Sequence, residues 1–252
     1  MHAIDPSLSL ILTLLLLAVI AGYIDTLVGG GGLITIPALM AAGLPPLLAL
    51  GTNKLQAIAG TGTASLTLML RGQVSFADVK WLMLIAFIGS VIGTFVVQLF
   101  DTSVLNIIIP VVLLFIGVYF IFSPNKNAEQ RPPRLTKSTY AATAIPGIGF
   151  YDGMFGPGTG SFFAWSGVSL QGQTLVGSTI IAKTLNFSTN LGSLIVFIYL
   201  GQVVWLLGAI MMLGQVLGAN LGARALIVAD PNVLRYLVII MCFTILTFWM
   251  IQ

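Results

Sequence analysis

Between Leu8 and Val28 the chain carries a single charged residue, Asp25, and apolar runs of this kind follow one another through most of the sequence. A helix of about 20 such residues is long enough to cross the ~30 Å hydrocarbon core of a bilayer. Soluble domains carry about 25% charged residues. Here the figure is 7%, against 58% hydrophobic, so the chain cannot cover itself with a solvated surface. Short alternating strands of the kind that build membrane barrels do not appear. The pattern predicts an all-α, polytopic, multi-pass integral membrane protein.

Two stretches interrupt the apolar pattern in the same manner. The first is Gly22-Tyr-Ile-Asp25-Thr-Leu-Val-Gly29-Gly30-Gly31-Gly32, and the second is Gly149-Phe-Tyr-Asp152-Gly-Met-Phe-Gly156-Pro157-Gly158-Thr159-Gly160. Each sets a carboxylate inside an apolar run and, four residues later, breaks the run with glycine. An unpaired charge and irregular backbone are both costly in hydrocarbon, and both survive only where protein or water satisfies them. Making both choices twice points to a polar site near the middle of the membrane, held by discontinuous helices.

The interruptions belong to a longer internal repeat. Asp25 and Gly29 match Asp152 and Gly156 at a shift of 127. Lys54 matches Lys183 at a shift of 129, which then also pairs Gly72-Gln73-Val74 with Gly201-Gln202-Val203, Gly89 with Gly218, Gly93 with Gly222 and Asp101 with Asp230. Apolar segments of the first half fall near 7–28, 33–43, 46–70, 77–100 and 103–122. The domain reading is a first transmembrane repeat over 1–122, a basic, proline-rich cytoplasmic loop over 123–138 and a second transmembrane repeat over 139–252. No separate signal peptide is read before Leu8, since His2 and Asp5 stand where a basic region would.

The segments 33–43 and 161–170 are too short to cross alone as helices; whether they cross or re-enter is left open. If they carry the chain across, then Arg71, Lys80, Lys126, Arg131, Arg134, Lys137, Arg224 and Arg235 share one face, which satisfies the positive-inside rule. That count favours inverted repeats, an architecture in which secondary transporters bind substrate at the midplane and expose it alternately to the two sides.

The residues that could act on a substrate follow from these features. Lys54, in Gly51-Thr52-Asn53-Lys54-Leu-Gln56, lies about 12 Å into a helix starting near Pro46. Its mate Lys183 is followed by Thr184 and Asn186. One reading is a lysine snorkelling to the interface; the other is a paired cationic site that attracts a small anion. On the second reading Thr52, Asn53, Gln56, Thr184 and Asn186 add hydrogen-bonding groups. So do the free N–H groups at the breaks, at Gly30, Gly31 and Gly32 and at Gly158, Thr159 and Gly160, where a helix start favours negative charge. Asp25 and Asp152 read either as counter-ions to the lysines or as proton carriers coupling transport to a proton gradient. The Gly-x-x-x-Gly spacings at Gly89/Gly93 and Gly218/Gly222 read as close helix packing, within one chain or in a homodimer.

Other classes are disfavoured. The net charge of +3 comes from basic residues at segment ends and in one loop, so nucleic acid is not the expected partner; lipid and a small anion are. His2 is the only histidine, the only glutamate is in the loop, and no metal-ligand cluster stands out, so neither an enzyme nor a metal or other cofactor is expected. Cys242 is alone and sits in an apolar helix, where packing is its expected role. The glycines lack the lysine and preceding strand of a nucleotide loop.

The Gly-x-x-Asp-x-x-x-Gly-Gly-Gly-Gly-x-Ile-x-x-Pro pattern at Gly22–Pro37, the Gly-Thr-Asn-Lys stretch at Gly51–Lys54 and their second-half copies resemble the TauE/SafE family of sulfite-exporter-like permeases. The resemblance implies a bacterial inner-membrane permease for sulfite, organosulfonates or related sulfur-containing anions. The second copy departs from the pattern, with Gly156-Pro157-Gly158-Thr159-Gly160 in place of four glycines. Three functions stay open: a secondary anion transporter, a passive anion channel and a membrane scaffold or assembly factor.

Overall fold

The computed structural model describes residues 7–122 and 132–226. The regular elements in them are helices: α1 (Leu8–Val28), α2 (Gly32–Ala41), α3 (Pro46–Leu70), α4 (Phe76–Val97), α5 (Thr102–Phe122), α6 (Lys137–Ala142), α7 (Ala144–Met154), α8 (Thr159–Gln171), α9 (Leu175–Tyr199) and α10 (Trp205–Ala225). The all-helical membrane architecture read from the sequence is therefore what forms. Among the described residues, α1, α4, α9 and α10 are long and apolar enough to span a bilayer. Helix α3 is as long as α9, 25 residues, but dilutes its apolar character with buried Thr52, Asn53, Lys54, Gln56, Thr61 and Ser65. Asp5, His2, Lys126, Arg131, Asp230, Arg235 and Cys242 lie outside the described residues, as does most of the 123–138 loop. The end of that loop is already helical, because Thr136 caps α6 by accepting from Thr139 N at 3.1 Å.

Local chemistry sets the helix ends. Ser7, Ser75 and Thr174 accept a backbone N–H in the first turns of α1, α4 and α9, and Pro46 opens α3 where its missing N–H costs nothing. The repeated Gly-Gln-Val triplets close α3 and α9. Gly72 and Gly201 take φ of 68° and 69°, and the next amides, Gln73 N and Gln202 N, reach back to Leu68 O and Phe197 O. That is the left-handed closure glycine makes without strain.

Helix α1 lies along α10 and also touches α3, while α4 lies along α7; α3 packs on α10, α9 on α4, and α3 meets α9 at the centre. By the sequence correspondence, α1 and α7 open their halves, and α4 and α10 are the fourth segments of theirs. Each opening helix is thus held by the other half. Glycine makes the contact close: a Cβ on Gly93 would stand 2.0 Å from Phe150 O, and one on Gly218 2.0 Å from Val19 O. Gly89 and Gly222 likewise face Pro146 and Tyr23, so both Gly-x-x-x-Gly faces are used inside the chain. Polar side chains add cross-helix bonds, such as Ser90 Oγ to Thr189 O (2.6 Å) and Thr94 Oγ1 to Gly153 O (3.0 Å).

The distribution is reversed from that of a soluble helix. On α4, Ile88, Ile92 and Phe95 are exposed while Gly89, Ser90, Gly93 and Thr94 are buried. Small and weakly polar groups face the interior and bulky apolar ones face outward, as suits a lipid surround, where close backbone approach rather than apolar burial joins helices.

Candidate functional site

Both glycine stretches are helix breaks, and they meet. Gly29 ends α1 in a left-handed conformation (φ 88°) with its N–H on Asp25 O at 2.7 Å, and α2 starts three residues later. Gly156 and Gly158 take φ of 95° and 75° between α7 and α8. A Cβ on Gly29 would stand 2.4 Å from Ser161 N, and one on Gly160 2.8 Å from Gly29 Cα. Gly32 packs on Pro157, and Ser161 Oγ donates to Val28 O across the contact. Backbone runs against backbone here, which only residues without side chains allow.

The two lysines reach this crossing, each toward the other half. Lys54 Nζ donates to Asp152 O at 2.6 Å and stands 2.9 Å from Asp152 Oδ1, with both side chains about fully buried at 1% exposure. Lys183 Nζ donates to Asp25 O and stands 3.9 Å from Asp25 Oδ2; Lys183 is 0% exposed and Asp25 15%. Glycine makes room for both ammoniums, since a Cβ on Gly156 would be 2.9 Å from Lys54 Nζ and one on Gly160 3.2 Å from Lys183 Nζ.

Charge follows the helix ends. Each ammonium sits on a main-chain carbonyl in the last turn of α1 or α7, where the helix dipole favours a cation. The carboxylates turn toward the following half-helices. Asp25 Oδ1 accepts from Gly31 N at 3.1 Å, and Asp152 Oδ1 accepts from Thr159 Oγ1 at 2.8 Å. Asp152 Oδ2 is buried with no donor. Two cations and two anions therefore neutralise one another at the centre of the helix assembly. Buried pairs of this kind are costly to form and costly to break by halves.

The remaining residues singled out from sequence divide between this crossing and its supports. Gly30, Gly31, Gly32, Gly158, Thr159 and Gly160 all lie at it. Thr159 Oγ1 also donates to Gly156 O at 2.8 Å, bracing the second break. Asn186 is close, with Nδ2 3.5 Å from where a Cβ on Gly160 would be. Asn53 and Gln56 form a separate buried network. Gln56 Nε2 and Thr35 Oγ1 both donate to Asn53 Oδ1, at 2.7 and 2.5 Å, which fastens α2 to α3. Thr52 Oγ1 accepts from Val204 N at 2.9 Å and so docks the start of α10. Thr184 Oγ1 donates to Ile181 O within α9.

Three residues at the crossing or in its supports escape the sequence reading: Thr35 in the α2–α3 network, Tyr151, whose hydroxyl donates to Pro157 O at 2.7 Å, and Ser161. Ser161 follows the second break directly and could have been found on that ground. Tyr151 and Thr35 have no polar mate in the other half to mark them.

The chain compares with known proteins over nearly its full length. The profile of the family described as "Sulfite exporter TauE/SafE" matches residues 14–248. A "Probable membrane transporter protein" of Haemophilus influenzae is 41% identical over 239 residues, covering 95% of this chain and 94% of the relative. A "Probable membrane transporter protein ORF9" of Sinorhizobium is 41% identical over 94% of this chain and 90% of its own. Escherichia coli K12 has a "Probable membrane transporter protein YfcA", 42% identical over 90% of this chain and 84% of its own. No solved structure matches. The chain belongs to the sulfite exporter TauE/SafE family: it is a multi-pass membrane transporter, not an enzyme.

Proposed function

Starting from that membership, we propose that the protein carries a small anion, a sulfite-like oxyanion or an organosulfonate, by alternating access about the crossing of its two glycine breaks. The observation that carries this reading is the pair of buried lysines meeting two broken helices from opposite halves. An anion at the crossing meets ammonium groups together with N–H groups at the starts of α2 and α8, the combination that binds carboxylates and phosphates at helix N-termini. Lys54 and Lys183 supply the charge, with Gly30, Gly31 and Gly32, and Gly158, Thr159 and Gly160, as backbone donors; Asn186 lines the same place. Asn53, Gln56, Thr52 and Thr184 hold the surrounding helices in register. The description of the family as sulfite exporters supports the sulfur-anion class.

The bodies that rock are not the two halves in sequence order. Close glycine contacts fasten α1 to α10 and α4 to α7, so each moving unit takes helices from both halves. Burial and pairing of both ammoniums favour a carrier over a passive pore, which needs a continuous path for the ion. Against a scaffold stands the family itself, whose relatives carry the name of membrane transporters.

The test is uptake of labelled sulfite and sulfoacetate into proteoliposomes by the parent, Lys54→Met and Lys183→Met. The parent should move at least one of the two anions, and the variants, where they insert and fold, should not. Folded variants that transport as well as the parent would overturn the site, and a parent that moves neither would overturn the substrate class.

A further inference from the structure

The crossing is already occupied by anions, and they belong to the chain. Asp25 Oδ1 takes the Gly31 N–H at the start of α2 while its second oxygen faces the Lys183 ammonium, and Asp152 holds Lys54 and the first residue of α8. A free anion entering beside two filled carboxylates would leave the centre with net negative charge in a low-dielectric surround, which is strongly unfavourable. One carboxylate must therefore give way.

The geometry selects Asp25. Its carboxylate is 3.9 Å from Lys183 Nζ, against 2.9 Å in the other pair, and it is 15% exposed against 1%. A single backbone N–H at 3.1 Å holds its Oδ1, whereas Asp152 Oδ1 has both an ammonium and a hydroxyl. Lys183 is tied to the main-chain carbonyl of Asp25, so its ammonium keeps its place when the carboxylate lets go. Asp25 also lies within Coulombic reach of Lys54, so removing its charge leaves the centre with an excess of one positive charge facing both lysines.

We propose that Asp25 is the built-in occupant of the anion site, and that a transported anion takes its place as the carboxylate picks up one proton from solvent. The balance is simple. One proton adds to the carboxylate, one singly charged anion enters, and the centre keeps zero net charge, so anion and proton move in the same direction. This rests on the anion-transporter reading above and adds the coupling ion and the residue that carries it.

The groups that face Asp25 are few. Helix α9 brings Lys183 and α3 brings Lys54, with Asp152 of α7 beyond Lys54. The other titratable residue of α1 is Tyr23, whose backbone meets α10; α2 and α8 contain no titratable side chain; and Arg224 of α10 is exposed.

The experiment uses the full chain purified in detergent, with methanesulfonate and ethanesulfonate as probes, because each carries one negative charge from mildly acidic to mildly alkaline pH. Binding is read by calorimetry and thermal shift, and proton uptake by an indicator dye in weak buffer. The parent should take up about one proton per anion bound and bind roughly tenfold more weakly for each pH unit above the carboxyl's titration. Asp25→Asn should bind with no proton uptake and little pH dependence, while Asp152→Asn, where it folds, should retain the uptake. Binding by the parent without proton uptake overturns the proposal but leaves an anion transporter standing. Uptake that survives in Asp25→Asn also overturns it. Should no sulfonate bind the parent at any pH, the organosulfonate reading falls and takes this inference with it. If Asp25→Asn does not fold, Asp152→Asn decides: uptake retained there supports Asp25, and uptake lost overturns it.

Discussion

Lys54 and Lys183 occupy corresponding places 129 residues apart, yet one ammonium stands 2.9 Å from its carboxylate and the other 3.9 Å. The cause lies in the breaks they meet. The first is all glycine and offers Asp25 only a backbone N–H. The second contains Thr159, whose hydroxyl bonds Asp152 Oδ1 and braces Gly156 O. Sequence divergence in the second copy thus tightens one pair and leaves the other loose. A repeat can keep its residues while dividing their work, one pair holding the halves together and the other free to exchange partners.

Substitutions can break this contrast. The largest effect should come from Lys54→Met, which leaves Asp152 buried without its cation, at a cost of about 3–5 kcal/mol. Denaturation in mixed micelles should show it. The same measurement on Lys183→Met should give a smaller loss, about 1–3 kcal/mol, because the loose pair contributes mainly a hydrogen bond to the Asp25 carbonyl. Equal losses would mean the two pairs do the same work.

Gly149→Ala should also cost about 1–3 kcal/mol, since the added Cβ would meet Ala86 O at 2.4 Å and push α7, with Asp152, off α4. Thr159→Val should cost about 1–2 kcal/mol by removing the hydroxyl that distinguishes the tight pair. It should also bring the response of Lys54→Met closer to that of Lys183→Met, which a double-mutant cycle would reveal. The smallest effect has the opposite sign. Two residues before Gly149, Gly147 has nothing within 4 Å of an added Cβ, so Gly147→Ala should gain up to about 1 kcal/mol by stiffening the unfolded chain.

Much of this arrangement is legible in the sequence. Long apolar runs locate the helices because hydrocarbon leaves the backbone few other ways to satisfy itself. The glycine runs and Pro45-Pro46 mark the short α2, and the repeat of Asp and Lys marks the four central charges. What cannot be read is who pairs with whom. No local pattern says that Lys54 reaches Asp152 rather than Asp25, because the choice depends on how α3 meets α7 through the rest of the fold.

Proximity along the chain misleads in a related way. Thr52, Asn53 and Lys54 are consecutive, but each step along a helix turns the side chain by about 100°. So Thr52 points to Val204, Asn53 to Thr35, and Lys54 alone enters the crossing.

The exchange of partners between halves also sets the order in which the protein can be made. Helix α1 leaves the ribosome well before its long partner α10 and before α9, which brings the ammonium for Asp25. Lys183 is 158 residues behind Asp25, a delay of about 8–30 s at synthesis rates of about 5–20 residues per second. For that interval the membrane holds a helix with an unmatched carboxyl and a row of bare glycine contacts. The first half cannot mature alone; its opening helix waits, half-finished, for the last pieces of the second.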